Sequence, residues 1–168
     1  MIADRLGPMH MSANRTYEMQ RTNHFEVVFE NISSDVTLCV DSAGALNTSI
    51  EPVELAYGNS KVKVAGQVTY EDFELVVKDA IVADIEAQLY DWFKQVYDVE
   101  NDKMGWAYKY KRTGRLYQYA PDGSLSRVWK LVGCWPTNFQ TSEFSYDGSD
   151  KKTITMTISV DKAYPIRS

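Results

Sequence analysis

The residues that could do chemistry in this chain are few, and their spacing argues against most of it. There are only two histidines. His10 lies in a polar N-terminal stretch and His24 on the polar side of an alternating segment, so they share no zinc-ligand spacing. Cys39 and Cys134 form no C-x-x-C pair, which argues against a thiolate metal frame. They read as buried free thiols or as partners in a bridge, within or between subunits. A serine–histidine–carboxylate triad gains no support, because the chain has no G-x-S-x-G elbow. Phosphate-cradling G-x-x-x-x-G-K-[ST] and dinucleotide G-x-G-x-x-G loops are missing too. The paired carboxylates Glu71 and Asp72 mark a strand start. Asp147 and Asp150 flank a turn, where aspartate caps backbone amides, and a calcium loop would need more oxygen ligands at tighter spacing. The expectation is a protein without catalytic residues, metal or cofactor, and not an enzyme.

One basic cluster remains, Lys109, Lys111, Arg112 and Arg115, interleaved with Tyr108, Tyr110, Tyr117 and Tyr119. It fits a stacking platform for nucleic acid, a solvent-facing hairpin whose tyrosines pack inward, or a patch that docks electrostatically on a neighbouring subunit and sets register. The formal net charge of -5 disfavours the first, since binders of that kind neutralise phosphates. It is compatible with a surface past which DNA slides without sticking. No apolar run approaches the roughly 20 residues of a membrane helix, and residues 1–20 lack the apolar core of a signal peptide. No membrane insertion is expected.

The elements that must position these residues follow from periodicity. At 168 residues the chain is long enough for one domain with its own core. Residues 1–21 form a polar, methionine-dotted arm, either disordered or ordered on a neighbouring subunit, and residues 22–168 form the domain. Residues 23–31 alternate, with Phe25, Val27 and Phe29 on one side, and predict a strand. Residues 35–40 predict a second short strand with Val36, Leu38 and Val40 inward. Residues 41–60 read as an extended loop or projecting hairpin, a length that is usually functional or disordered. Residues 61–65 and 70–78 predict strands that pair antiparallel, with a bulge near Gly66. The period then changes. Ile81, Val82, Ile85, Leu89, Trp92, Phe93 and Val96 recur at helical spacing after an N-cap at Asp79, predicting one helix over residues 80–97. Trp106, Tyr108 and Tyr110 alternate as a strand, and residues 112–115 read as a turn into a strand over 116–120.

The last third is the most patterned. Residues 116–165 read as strand, Pro121–Asp122–Gly123–Ser124 turn, strand, a break at Gly133–Cys134–Trp135–Pro136, a turn over residues 146–150 and a final strand over 153–160. In that strand Ile154, Met156, Ile158 and Val160 face one way and Thr155, Thr157 and Ser159 the other, so it is half buried. The fold class is mainly β: an antiparallel barrel or sandwich of about seven to nine strands with one flanking helix.

This order resembles the tail-tube protein family of contractile-tailed bacteriophages, which shares its fold with the type VI secretion tube protein. The resemblance runs over residues 23–165. It is carried by the opening strand Asn23-His24-Phe25-Glu26-Val27 and the loop region of residues 41–57. It also includes the aromatic helix with Leu89-Tyr90-Asp91-Trp92-Phe93, the Asp122-Gly123 turn, the corner Leu131-Val132-Gly133-Cys134-Trp135-Pro136 and the Tyr164-Pro165 tail. The arm is longer than a minimal tube subunit needs, and Cys134 stands where an aliphatic or aromatic residue is more usual. The resemblance implies hexameric rings that stack into a hollow tube, with the chain itself, the tail sheath, baseplate and tail terminator proteins as partners. Phage DNA would pass through the lumen without specific binding. The location implied is the virion tail, assembled in the host cytoplasm. The implied inter-ring contacts are Asp41, Ser42, Gly44, Leu46, Asn47, Ile50, Glu51 and Tyr57. Thr155, Thr157 and Ser159 are lumen candidates, with a solvent-facing outer sheet as the other reading of that face. Lys109, Lys111, Arg112 and Arg115 become inter-subunit electrostatic candidates. Three other readings compete: a secretion-system or baseplate tube-like protein, a small-ligand-binding β-barrel that closes on itself around an apolar pocket, and a nucleic-acid-binding barrel using the basic hairpin.

Overall fold

The computed structural model describes residues 19–166. The expectations for residues 1–18 of the arm, His10 among them, lie outside the described residues. In chain order the elements are β1 (Phe25–Phe29), α1 (Ser34–Cys39), β2 (Val40–Ala43), β3 (Thr48–Tyr57), β4 (Ser60–Tyr70), β5 (Phe73–Lys78) and α2 (Ile85–Val96). They continue with β6 (Tyr97–Asp98), β7 (Lys103–Met104), α3 (Ala107–Tyr110), β8 (Arg112–Tyr119), β9 (Leu125–Thr141), β10 (Thr153–Ser159) and β11 (Lys162–Ile166).

The body is an antiparallel sheet in the order β1-β8-β9-β10-β5-β2, with β11 also on β9. It is folded over on itself by a bent ribbon. β9 is a single strand of 17 residues. Its first half pairs with β8 and β11, its second half with β10. Ile158 opposes Pro136 and Lys162 opposes Val132, so β10 and β11 track β9 in one register around the bend. Gly133 supplies that bend at φ 70°, a conformation that costs an L-residue with a Cβ. A Cβ there would also overlap the Asp161 carboxylate. The Asp161 N–H donates to the Val132 carbonyl at 2.9 Å, holding the second strand to the turn of the first.

Period-two alternation then seals the core. Phe73, Leu75 and Val77 from β5 and Ile154, Met156 and Ile158 from β10 are all buried. Val27, Phe29, Leu131 and Cys134 come from the other half of the sheet. Each such aliphatic or aromatic side chain contributes about 1.5–3 kcal/mol by leaving water. α2 packs on β9 through Ile85, Leu89, Trp92 and Val96. Trp92 is held on three sides. Its Nε1–H donates to the Tyr110 carbonyl at 2.9 Å, the Phe29 ring lies at 5.2 Å and the Arg112 guanidinium stacks at 5.1 Å.

Several expectations need correction. Residues 34–39 are helical, not a strand: Ser33 Oγ accepts from the Asp35 N–H and caps a turn that buries Val36 and leaves Leu38 81% exposed. Residues 61–65 pair with β3 rather than with residues 70–78. The bulge does fall at Gly66, where the register shifts and the backbone passes so close to the Glu51 carbonyl that a Cβ would collide. The main helix starts at Ile85, not residue 80. Asp84, at φ 46°, accepts from the Ala87 N–H, and Asp79 accepts from the Glu86 N–H at 3.2 Å. Two carboxylates therefore cap the same helix, and Ile81 and Val82 sit in the preceding turn, fully exposed. Residues 107–110 form one helical turn instead of a strand. Residues 112–115 belong to β8 instead of a turn, with Gly114 packed under the Phe29 ring. The Gly133–Pro136 break is a bend within β9, and Tyr164-Pro165 lies in β11 rather than in a tail.

Candidate assembly surfaces

β3 and β4 pair only with each other, forming a long hairpin apart from the body sheet. Every β3 residue is exposed, and so is every β4 residue but Gly66 and Tyr70. Val53 opposes Val64 and Leu55 opposes Val62, with Tyr57 beyond them at the tip, so one face of the distal half is apolar. The other face carries Glu54, which accepts ion pairs from both Lys61 at 3.1 Å and Lys63 at 3.8 Å. An isolated two-stranded hairpin is marginal in water, and among the described residues nothing covers this one.

The residues implied as inter-ring contacts divide between body and hairpin. Asp41 and Ser42 lie on β2, and Asp41 pairs with Lys78 at 2.6 Å. Gly44 donates its N–H to the Glu74 carbonyl at 2.6 Å, and Leu46 packs against the core. Asn47 closes the hairpin root, its Nδ2 donating to Glu71 Oε2 at 2.7 Å and its carbonyl accepting from the Glu71 N–H. Ile50, Glu51 and Tyr57 are on the hairpin itself.

Thr155, Thr157 and Ser159 line the face of β10 opposite the core. Thr155 lies between Gln140 and Val76, Thr157 between Asn138 and Glu74, so this face is mostly hydroxyl and amide.

The basic cluster is split by its own fold. Lys111 Nζ reaches both oxygens of Asp161, at 2.8 and 3.0 Å. Arg112 donates to the Asn31 carbonyl and to Gln95 Oε1 as it stacks on Trp92, and burial lowers its pKa. Those two cations brace the body. Lys109 and Arg115 stay exposed, on α3 and β8 respectively. Hydrogen bonding to Tyr117 raises the Arg115 pKa. On the neighbouring seam, Tyr119 Oη donates to Glu26 Oε2 at 2.6 Å, which pushes the tyrosine up to about 12. The Cys39 and Cys134 thiols are free, and burial pushes Cys134 up to about 12.

Sequence reasoning missed a second surface. Ile81 and Val82 in the turn before α2, Phe144 and Tyr146 in the loop before β10, and Leu38 on α1 are all strongly exposed. A signal was present, because Asp84 competes with Asp79 as a cap and pushes residues 81–82 out of the helical face. A cleft of about 360 Å³, lined by Phe25, Leu46, Leu116 and Trp129 among others, opens at the seam between β1 and β2. Those strands are the two ends of the sheet order and share no ladder, so the sheet does not close on itself there. Among the described residues no cluster of three or more metal-ligating side chains occurs, and no helix is long and apolar enough to cross a membrane.

This architecture has known counterparts. In the solved sheath–tube complex of an extracellular contractile injection system (PVC, extended state), one chain matches with a TM-score of 0.70 at 15% identity, covering 95% of this chain and 97% of that one. A chain of the anti-feeding prophage (AFP) baseplate matches with a TM-score of 0.66 at 11% identity, covering 89% and 97%. At these identities the likeness establishes the fold. The tail tube protein gp19 of Enterobacteria phage T4 is 23% identical over 147 residues, 86% of this chain and 90% of that protein. The family model described as T4-like virus tail tube protein gp19 matches residues 21–163. The match spans the body sheet, the hairpin and α2, and the chain belongs to this family of tail tube proteins.

Proposed function

We propose that the chain is the structural subunit of a contractile-tail tube, in which hexameric rings stack into a hollow cylinder that conducts DNA into the host. The observation that carries this reading is the hairpin. Val53, Leu55, Val62 and Val64 are 43–51% exposed on one face of a two-stranded element that no other described residues cover. Open sheet edges and an uncovered apolar hairpin are liabilities for a monomer and assets for a subunit. Edge strands of neighbouring copies complete one another within a ring, and a heterologous contact between rings extends the filament.

In this arrangement the hairpin with Ile50, Glu51 and Tyr57, together with its root from Asp41 to Asn47, stacks ring on ring. The Thr155–Thr157–Ser159 face lines the lumen, where hydroxyls, amides and the Glu74 carboxylate offer phosphates little cationic grip, since Lys78 at the end of that face is engaged by Asp41. Lys109 and Arg115 are the cations left for a neighbouring subunit. Tail sheath, baseplate and terminator proteins are the further partners, and assembly takes place in the host cytoplasm before the tail joins the virion.

The test is electron microscopy of the purified protein over a concentration series, alone and with sheath and baseplate proteins added. Rings or hollow tubes with six-fold end views are expected. A uniformly monomeric population under all those conditions overturns the reading.

A further inference from the structure

The two outer faces of the folded body differ in charge. One is the Thr155–Thr157–Ser159 face, where Lys78 is taken by Asp41. The other belongs to the layer of β1, β8, the first half of β9 and β11. It lies opposite the side from which Val27, Phe29, Leu131 and Ala163 enter the core. Ladder register sets its residues in rows. Val28, Arg115, Lys130 and Tyr164 run straight across the four strands, about 14 Å in all. Glu26, Tyr117, Val128 and Ile166 make the next row. Lys162 stands across from Val132 on the other side of the first row.

Arg115 opposite Lys130 is the one pair of like charges that any ladder of the described residues sets directly across from each other. Such a pair is destabilising. Six lysines elsewhere (Lys61, Lys63, Lys78, Lys94, Lys111 and Lys152) each pair with a carboxylate. Among the described residues no ion pair engages Arg115, Lys130 or Lys162. Glu26 is occupied by the Tyr119 hydroxyl. Glu30, beyond the end of β1, reaches Arg115 by its field alone, while Tyr117 holds the guanidinium by a hydrogen bond. The chain carries a net charge of -5, and this face still presents three uncompensated cations.

We propose that this face binds an acidic segment of the sheath protein, whose carboxylates lie across Arg115 and Lys130 and reach Lys162. This rests on the tube reading and names the neighbour that Arg115 meets. In that reading the Thr155 layer looks into the lumen, so this layer looks outward. Copies within a ring meet at sheet edges and rings meet at their ends, which leaves the outward face to the sheath. Phosphates would suit the same cations and tyrosines, but the DNA runs behind the other layer. Carboxylates set between Arg115 and Lys130 remove a repulsion that the free subunit bears. Tyr164 and Ile166, 44% and 39% exposed, give the segment apolar ground beside the charges.

The experiment mixes assembled tubes of the full-length chain with the purified sheath protein of the same tail. It reads co-sedimentation, and cross-linking by a carbodiimide, which joins a lysine amine to a carboxylate in contact with it. Native tubes are expected to yield acidic sheath peptides joined to Lys130 or Lys162. The double variant Arg115→Glu, Lys130→Glu is expected to form tubes and to need about tenfold more sheath protein for half-saturation. Lys130→Arg is expected to bind as the native tube does and to lose the cross-link at that position. Native half-saturation by the double variant overturns the proposal. Cross-links from Lys130 to a second tube copy, or a double variant that folds without forming tubes, make the face a tube contact and overturn it with the tube reading standing. A duplex DNA fragment that native tubes retain and the double variant releases, with sheath binding unchanged, overturns it in favour of phosphate. Native chain that forms no tubes overturns the tube reading and this proposal with it.

Discussion

The body and the β3–β4 hairpin obey the same alternation rule and end in opposite states. In β5 and β10 every second residue vanishes into a core shared with α2. In β3 and β4 the apolar positions pair across the ladder and remain in water. The difference is one of layers. A sheet face is stable when a second layer covers it, and the body supplies its own by folding β9 and the β10–β11 ribbon over at Gly133. The hairpin has no second layer among the described residues. Patterning therefore specifies which face is apolar, and only topology decides whether the cover comes from the same molecule.

The sharpest break between the two regions is an aromatic truncation in each. Trp92→Ala empties a site walled by Phe29, Tyr110 and Arg112, and it is expected to destabilise by about 3–5 kcal/mol. Tyr57→Ala removes a ring that is 80% exposed at the hairpin tip, and its expected effect on unfolding is within about 0.5 kcal/mol. Urea titrations of both variants decide the matter. Comparable losses would mean that the hairpin packs on its own body.

What the sequence discloses follows from this division. The β1, β5 and β10 alternations, the buried stripe of α2 and the Pro121–Ser124 turn could be read because local period and tertiary burial agree there. They disagreed at residues 35–40 and 106–111. Val36, Leu38 and Val40, and likewise Trp106, Tyr108 and Tyr110, alternate like strand residues, yet each set runs through a short helical turn that buries Val36 but leaves Leu38, Trp106 and Tyr108 exposed. The Ser33 cap was the available clue to the first, and the Trp92-to-Tyr110 hydrogen bond that fixes the second is nonlocal. The pairing of residues 61–65 was misassigned for a similar reason, since two candidate partners, β3 and β5, flank β4 and only the register distinguishes them. The basic cluster shows the limit for sites: adjacency in sequence said nothing about Lys111 and Arg112 being spent on Asp161, Asn31 and Gln95.

A smaller effect separates two glycines of positive φ. Gly133→Ala at the bend forces a Cβ into the left-handed region and against the Asp161 carboxylate, and it is expected to cost about 1–3 kcal/mol of global stability. Gly58→Ala at the hairpin tip has φ 62° but open space around it. Its strain of about 1 kcal/mol falls on an element whose opening does not unfold the body. Thermal unfolding should therefore register the first and pass over the second. An equal fall in melting temperature for the two would show that hairpin and body unfold as one unit.

The smallest effect is a pH dependence, and it too belongs to the body. Tyr119 is raised from 10.0 to about 12 chiefly by its hydrogen bond to Glu26, and Cys134 from 9.0 to about 12 by burial. A group whose pKa is higher folded than unfolded favours the folded state as long as it stays protonated. For Tyr119 that contribution is complete below about pH 10 and is lost as pH rises through about 12; for Cys134 the loss begins near pH 9. Unfolding free energy should therefore fall across this alkaline window in the native protein. The fall should be shallower in Tyr119→Phe, which has no proton to lose at that position. A chain whose hairpin is shortened by replacing residues 53–64 with a two-residue turn should keep the native slope, because neither group touches the hairpin. A Tyr119→Phe slope equal to the native one would mean that the Glu26 hydrogen bond does not hold the phenol proton. A slope that changes with hairpin length would mean that the two regions are coupled in the single subunit.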